Sequence, residues 1–456
     1  MRKCFMETDL YAWQEKVIAE CVERPKRALF AAPRLGKTRA TSIMSDIQGF
    51  DRNLIVAPLS VCGDWCRELA LQGHIILPFY QRGLVGAARG LYEHSRGTVV
   101  LNYDKLPGLE QPLRGWKPQG QVYDESHLLK NPQSARSKSA RKLAGKAEFV
   151  RILTGTPSPN HYGDLWAQMT LVNPQRWESW TKFSQRYLIR HAIYPSKIIG
   201  YNSLEELQAM LMDDADIVRR EDVFGPDTYQ YVERWVDLPR KAREVYDTLV
   251  KEWLYYHEDG EVLADHALKR LVRLQQLTSG YLRTEDEKDI PVHTAKIDAV
   301  LADLEEIVAS EEKAILFHRF TWEGEYYSKA ISERYPSTPV VHISGQSSPS
   351  ERDAAIQCIR EYNGAAICIA QTRTAALGVS FAEATHALFV SESFSFTDEE
   401  QARDRVYKPG FNRCITHYRA NGTVDEFIAE VIAGKSDIHQ AITHADVRSI
   451  AFGTRR

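Results

Sequence analysis

Two short stretches hold side chains able to handle a nucleoside triphosphate. The first, "AAPRLGKTRA" at residues 31–40, ends in Gly36-Lys37-Thr38. An apolar run, "RALFAA", leads into it, and a helix-compatible segment follows. In a strand–loop–helix turn, the backbone N–H groups at the helix start can hold phosphate oxygens. Lys37 can then reach the terminal phosphates, and the Thr38 hydroxyl can join the shell of Mg²⁺. By itself the loop is ambiguous. Ala31 stands where G-x-x-x-x-G-K-[ST] opens with glycine, and Arg34 replaces a small residue in its middle. The second stretch, "VYDESHLLKN", sets Asp124 and Glu125 at the end of another apolar run. One carboxylate there can hold Mg²⁺, directly or through water, and its neighbour can polarise the attacking water. Adjacent carboxylates can also be an ordinary turn, but a G-K-T loop followed by D-E-S-H is an uncommon pairing. A third stretch, Leu153-Thr154-Gly155-Thr156-Pro157, offers hydroxyls that could bond the carboxylates and report the nucleotide state.

These residues need a scaffold that sets several strand ends side by side. Near-continuous apolar runs occur in two groups, as expected of strands buried on both faces of a parallel sheet. The first is "RALFAA", "NLIVAP", "TVVLNY", "QVYDES" and "FVRILTG"; the second is "KAILFHRF", "PVVHISG", "AAICIAQ", "HALFVSES" and "CITHYRA". The segments between them leave room for crossover helices. The expected fold is α/β, with two doubly wound parallel-sheet lobes and helical insertions between them. The expected divisions are 1–162 for the first ATP-binding lobe, 163–295 for a mainly helical region, and 296–456 for the second lobe. In the middle region Ala264, Ala267, Leu271 and Leu274 form a helical stripe, Gly280 reads as its cap, and Trp166, Trp177, Trp180 and Trp253 are expected core. Late in the chain, "GTVDEFIAEVIAG" predicts a helix with a Thr423…Glu426 capping box and a stop at Gly434.

Composition excludes little beyond membrane spans. The chain has 456 residues, 43% hydrophobic and 26% charged, with net charge −3. There is no apolar run of eighteen residues and no apolar leader at the start. Seven scattered cysteines suit a reducing compartment, and Cys62 and Cys66 are expected to be ordinary buried thiols. The near-neutral balance means that any nucleic-acid face must be a local basic patch. One candidate is the cluster Lys130, Arg136, Lys138, Arg141, Lys142 and Lys146, which a solvated helix surface would explain equally well.

In their order, G-K-T, "LIVAPLSVCGDWCREL", "DESHLLKN" and "LTGTPSPN" resemble helicase superfamily two, and within it the Swi/Snf-type double-stranded DNA translocases. "AILFHRFTW", "TRTAALGVSFAEATHALFV" and "QARDRVYKPG" resemble that family's fourth, fifth and sixth motifs, and "LVRLQQLTSGYL" its helical stretch ahead of the second lobe. The resemblance covers nearly the whole chain. It implies that the two doubly wound parallel-sheet lobes are RecA-like and that the chain is a DNA-dependent ATPase using ATP and Mg²⁺, with ATP between the lobes and duplex DNA as partner. By position it implies that Gln14 reads the adenine edge, that Gly36, Lys37 and Thr38 hold phosphates and Mg²⁺, that Asp124 holds Mg²⁺ and that Glu125 is the general base. His127 would bridge the ATP site to the third motif. Gly378 lies near the nucleotide. Gln401 and Arg405 fall on the sixth motif, with Arg405 as the arginine finger. Ser60, Asn102, Lys105, Arg319, Ser344, Thr372 and Arg373 are the DNA-contact candidates, gripping phosphates rather than bases.

The sequence departs from the family at three places. Arg34 stands where the family carries glycine. Lys408 takes the place of the second arginine of the sixth motif, keeping a charge but losing the planar fork. "SESFSF" replaces an aromatic-Asn-Pro stretch. The expected activity is duplex-DNA-stimulated ATP hydrolysis driving movement along DNA. The alternatives are a strand-separating DNA or RNA helicase and a nucleotide-gated DNA clamp with weak hydrolysis, the latter suggested by Lys408. A monomeric motor core with no membrane attachment is expected, in the cytoplasm of a prokaryote or of a virus-infected host rather than in a nucleus.

Overall fold

The computed structural model describes residues 10–158, 161–177, 179–190, 198–225, 229–258, 264–284, 286, 288–375, 380–394, 396–408 and 410–433. The chain forms two compact units, Met1–Asp227 and Thr228–Arg456. Their boundary falls inside the stretch 163–295.

In the first unit, β1 (Lys26–Ala31), β2 (Arg52–Ala57), β3 (Ile76–Pro78), β4 (Gly97–Asn102), β5 (Gly120–Asp124) and β6 (Phe149–Thr154) belong to one sheet. A short antiparallel hairpin follows, β7 (Leu188–Arg190) with β8 (Ile198–Tyr201), and then β9 (Ala215–Val218) joins the sheet. The order is β3-β4-β2-β5-β6-β1-β9, and every pairing is parallel. Successive residues of a strand point to opposite faces, so each strand feeds two cores. Phe30, Val56, Leu101, Tyr123 and Ile152 enter one core, while Leu29, Ile55, Val100, Val122 and Leu153 enter the other. Trp166 and Trp177 pack into the first of these, and Trp180 lies against it. The side chain of Trp253 lies outside the described set. Thus part of the stretch expected to be helical completes the first sheet. Arg27 fixes that edge by pairing with Asp216 at 2.9 Å.

The second unit opens with β10 (Tyr229–Val236). A small hairpin follows, β11 (Tyr281–Arg283) with β12 (Asp289–Pro291), and then come β13 (Lys313–His318), β14 (Val340–Ile343), β15 (Ala366–Gln371), β16 (His386–Phe389) and β17 (Arg413–Ala420). The main sheet runs β10-β17-β16-β13-β15-β14, again all parallel. The helix Ala264–Thr278 forms, with Leu271 and Leu274 buried and Gly280 at φ +103° beyond its end. The side chains of Ala264 and Ala267 are outside the described set. The helix Val424–Ala433 also forms. There the Glu426 carboxylate accepts from Gly422 N at 2.8 Å, and Thr423 Oγ1 accepts from Asp425 N at 3.2 Å. Gly434 lies outside the described residues.

Both sheets are doubly wound α/β sheets with helices on their faces. Among the described residues, no helix is long and apolar enough to cross a membrane.

Candidate nucleotide site in the first unit

The strand order sets β5, β6 and β1 side by side, so their carboxyl ends share one edge. In open parallel sheets ligands bind outside that edge. The loop after β1 turns at Gly36, whose φ is +79°, into the helix Lys37–Gln48. A Cβ at Gly36 would lie 2.5 Å from Gln14 Nε2, so any larger residue there would displace that side chain and strain a left-handed backbone. Gln14 is buried and donates to Leu35 O at 3.1 Å and Gly36 O at 3.2 Å. Its Oε1 accepts from Tyr11 N at 2.9 Å. Gln14 therefore braces the loop. Arg34 also adopts a left-handed backbone, with φ +65°. That conformation favours glycine, which supplies a physical reason for the residue the family carries there. Lys37 lies back over the loop and donates to Ala31 O at 2.7 Å and Ala32 O at 3.3 Å. Thr38 is half-buried in the first helical turn.

Across the strand ends, Asp124 is buried at the end of β5. Its Oδ2 accepts from Trp65 Nε1 at 2.8 Å, and its Oδ1 accepts from Glu125 N at 2.9 Å. Tyr103 Oη donates to the Asp124 carbonyl at 2.7 Å. Burial, and then the charge of Glu125, push the Asp124 carboxyl up to about 6 against the Trp65 bond and Lys37. Glu125 leaves the strand in a left-handed conformation, φ +50°. Its Oε2 accepts from Thr154 Oγ1 at 3.2 Å and lies 3.1 Å from His127 Nδ1. His127 Nδ1 and Thr154 Oγ1 are 3.0 Å apart. The third motif also approaches the loop, since a Cβ at Gly155 would stand 2.8 Å from Pro33 Cδ.

This donor set fits a divalent cation and a phosphate chain. A buried carboxyl beside a second carboxylate is penalised for ionising, and a cation offsets that penalty. Asp124 and Thr38 are the residues that would hold Mg²⁺. Trp65 and Tyr103 are the residues the motif reading missed. Trp65 lies inside the quoted stretch "LIVAPLSVCGDWCREL", where a tryptophan among apolar residues signals an indole N–H in need of a buried partner.

The DNA-contact candidates collect at the same kind of edge. In the first unit, Ser60 is exposed in the turn after β2, and Asn102 ends the neighbouring β4 with its Oδ1 buried. Lys105 donates to the carbonyls of Tyr80 at 2.5 Å and Arg82 at 2.6 Å, so its ammonium binds its own backbone in this structure. In the second unit, Arg319, Ser344, Thr372 and Arg373 follow the adjacent strands β13, β14 and β15. Arg373 is exposed, 3.7 Å from Asp398. Thr372 is buried, its Oγ1 donating to His318 O at 3.1 Å. Arg319 stacks 3.5 Å from the Phe394 ring centroid and donates to Gln275 Oε1 at 2.6 Å. Burial pulls the Arg319 guanidinium down to about 10. Ser344 Oγ accepts from Gln346 N at 3.3 Å. Gln401 lies on the helix Phe396–Asp404, Arg405 just beyond it, and Lys408 is exposed with Nζ 4.5 Å from the Phe411 ring. Gly378 lies outside the described residues. In the basic cluster, Arg141 covers Trp166 and Lys142 pairs with Glu110 at 2.9 Å, which spends part of its charge within the fold.

A family model, the SNF2-related domain, matches residues 28–279. The chain belongs to the SNF2-related family of ATPases. A second model, the helicase conserved C-terminal domain, matches residues 296–410 of this SNF2 chain. Its relatives include the Bacillus subtilis protein YwqA, named for an ATP-dependent helicase/translocase, at 23% identity over 86% of this chain and 43% of that protein. Protein p41 of Acyrthosiphon pisum secondary endosymbiont phage 1 is 23% identical over 95% of this chain and 97% of its own length. Among solved structures, the SWI2/SNF2 ATPase core of Sulfolobus solfataricus in complex with dsDNA aligns over 99% of this chain and 98% of that one, with 21% identity and TM-score 0.46. The SNF2 chain spans less than half the length of several curated relatives it matches.

Proposed function

We propose that this chain is a duplex-DNA-stimulated ATPase that moves along DNA. The observation that carries this reading is the cluster at the ends of β5 and β6, where Asp124, Glu125, His127 and Thr154 stand at the same sheet edge as the Gly36-Lys37-Thr38 loop. Backbone amides at the start of the helix Lys37–Gln48 bind phosphate oxygens. Lys37 exchanges the carbonyls of Ala31 and Ala32 for the terminal phosphates. Glu125 accepts a proton from the attacking water, and Thr154 with His127 fixes the carboxylate that does so. Asp124 and Thr38 would hold Mg²⁺, which would supply charge neutralisation on the phosphates. Trp65 holds Asp124 in place. The roles of Gln401, Arg405, Gly378 and Lys408 follow from the motif resemblance, with Arg405 stabilising charge on the transferred phosphoryl group. Contacts to phosphates rather than bases give binding that weakens steeply with salt and ignores sequence.

The test is ATP turnover measured without nucleic acid and with single-stranded DNA, duplex DNA or RNA, with Lys37→Ala as control. Duplex DNA should accelerate turnover, and Lys37→Ala should abolish it. Turnover indifferent to duplex DNA would overturn the reading. Triplex displacement without strand separation would distinguish a translocase from an unwinding helicase.

A further inference from the structure

The second unit carries an acid–imidazole–thiol constellation that nucleotide chemistry does not use. In the parallel pair of β16 and β17, His386 stands directly beside Cys414. Both side chains line the same groove, and Cys414 Sγ lies 3.7 Å from Thr416 Oγ1. His386 Nε2 meets Glu312 Oε2 at 2.5 Å. The three residues line an open groove of about 420 Å³, so reagents can reach the sulfur. Cys414 itself is half-buried.

The charges facing the groove are mostly acidic, so the imidazole of His386 is the group that favours a thiolate. From β10, Arg234 faces the groove; from the helix Ala295–Ala309 come Asp303 and Glu306; from the turn beyond it comes Glu312; and from β17 comes Thr416. Arg234 is paired with Asp303 at 3.0 Å, and Tyr418 Oη donates to Asp303 at 2.7 Å. The neighbouring His386, helped by the Thr416 hydroxyl, holds the Cys414 thiol below its ordinary value, against burial and the charge of Asp303. Burial alone would lower His386, but the adjacent Cys414 and Glu312 outweigh that and raise it. Burial drives other thiols the opposite way. Cys62 is pushed up to about 12, and Cys21, Cys66 and Cys368 are also raised.

We propose that Cys414 is a reactive modification site, open to S-thiolation by small disulfides of the glutathione class, with His386 as its base and Glu312 orienting that imidazole. His386 takes the Sγ proton, and the thiolate attacks one sulfur of the disulfide. A protein–ligand S–S bond forms as the original S–S bond breaks. The departing thiolate takes up a proton from the imidazolium. Cys414 is thereby oxidised, and the released half of the reagent is reduced. The attached group fills the groove beside β10, β16 and β17.

The experiment exposes the full chain to glutathione disulfide, and separately to iodoacetamide, between pH 5 and 9, and reads each cysteine by peptide mass spectrometry. Cys414 should react about tenfold or more faster at pH 7 than Cys66 and Cys358, two other half-buried thiols. Its rate should reach half its maximum below the pH of a free thiol. His386→Gln should slow it about tenfold and move the midpoint up, and Glu312→Gln should act in the same direction more weakly. Unchanged labelling of Cys66 and Cys358 in the variants reports an intact fold. If His386→Gln does not fold, the unmodified chain still decides. A Cys414 rate no greater than that of Cys358, or a midpoint at or above a free thiol's, overturns the proposal, as does a folded His386→Gln variant with an unaltered profile.

Discussion

Trp65 Nε1 donates to Asp124 Oδ2 at 2.8 Å, tying the helix Cys62–Leu71 to the end of β5. Both partners are buried, so removing the donor leaves an acceptor with nothing to replace it. Trp65→Phe should cost about 1.5–3 kcal/mol of stability, the range for a hydrogen bond to a charged group. It should also lower kcat/KM for ATP, because Asp124 loses its fixed orientation. Denaturant midpoints and steady-state ATPase rates measured together check this, and an unaltered ATPase rate would remove Trp65 from the site.

The loop carries two left-handed residues, and they should respond in opposite ways. Gly36→Ala places a methyl 2.5 Å from Gln14 Nε2 at a φ of +79°, so it should dislodge the Gln14 brace and weaken nucleotide binding. Arg34→Gly relieves a backbone cost of about 1–2 kcal/mol at φ +65° and should leave binding intact. Calorimetric titration with a nucleotide distinguishes them, and equal losses would contradict the assignment.

Lys408 holds its ammonium 4.5 Å from the Phe411 ring at an exposed position. An arginine there restores the planar fork. If Lys408 limits the chemical step, Lys408→Arg should raise the DNA-stimulated turnover several-fold with little change in KM. A fall in turnover would mean that this chain has adapted to lysine.

A carboxylate pair, Glu392 buried and Glu399 half-buried beside it, gives the second unit a pH-dependent stability. Burial, followed by the charge of Glu392, pushes Glu399 up to about 7 from an ordinary value of 4.5. Burial opposes the charge of Glu392, but His417 and Arg419 outweigh it and hold Glu392 down at about 2. Between pH 4.5 and 7 the folded chain binds the Glu399 proton that the unfolded chain has lost. Stability therefore falls as pH rises through that window. The Glu392 contribution is present above its unfolded value and is lost only toward pH 2. Glu399→Gln should shrink the loss between pH 5 and 8 by on the order of 2 kcal/mol. Urea midpoints at the two pH values test it, and parallel slopes in the two proteins would rule it out.

Lys296 is almost fully buried, with Nζ 2.8 Å from Asp425 Oδ2. Asp425 also accepts from Thr278 Oγ1 and Ala420 N, each at 2.9 Å. Asp425→Ala leaves an ammonium in the core and should cost about 3–5 kcal/mol. Asp425→Ala with Lys296→Met should recover part of that loss in thermal unfolding.

Apolar runs alone located ten of the main strands, because strands buried on both faces must be apolar at every position. β10 escaped that signal. It is an edge strand whose "YQYVERWV" mixes apolar residues with the exposed Glu233 and Arg234, and nothing in that pattern separates it from a helix face. β9 escaped because four residues of mixed polarity become a strand only by pairing with β1. The motif residues were legible because a phosphate loop and a carboxylate pair need fixed residue types at fixed local spacing. Their supports were not. The indole of Trp65 and the hydroxyl of Tyr103 reach Asp124 across 59 and 21 residues, and such partners are chosen by strand order, not by neighbours in the chain. The same holds for Glu312, His386 and Cys414. The sequence scatters them as three unremarked residues, and the register of β16 against β17 makes them one site. Sequence by itself determined which chemistry the first unit's loop and carboxylates could attempt. Tertiary structure decided which buried groups hold those residues in place, because burial withdraws water and leaves each polar atom dependent on whatever the fold sets beside it.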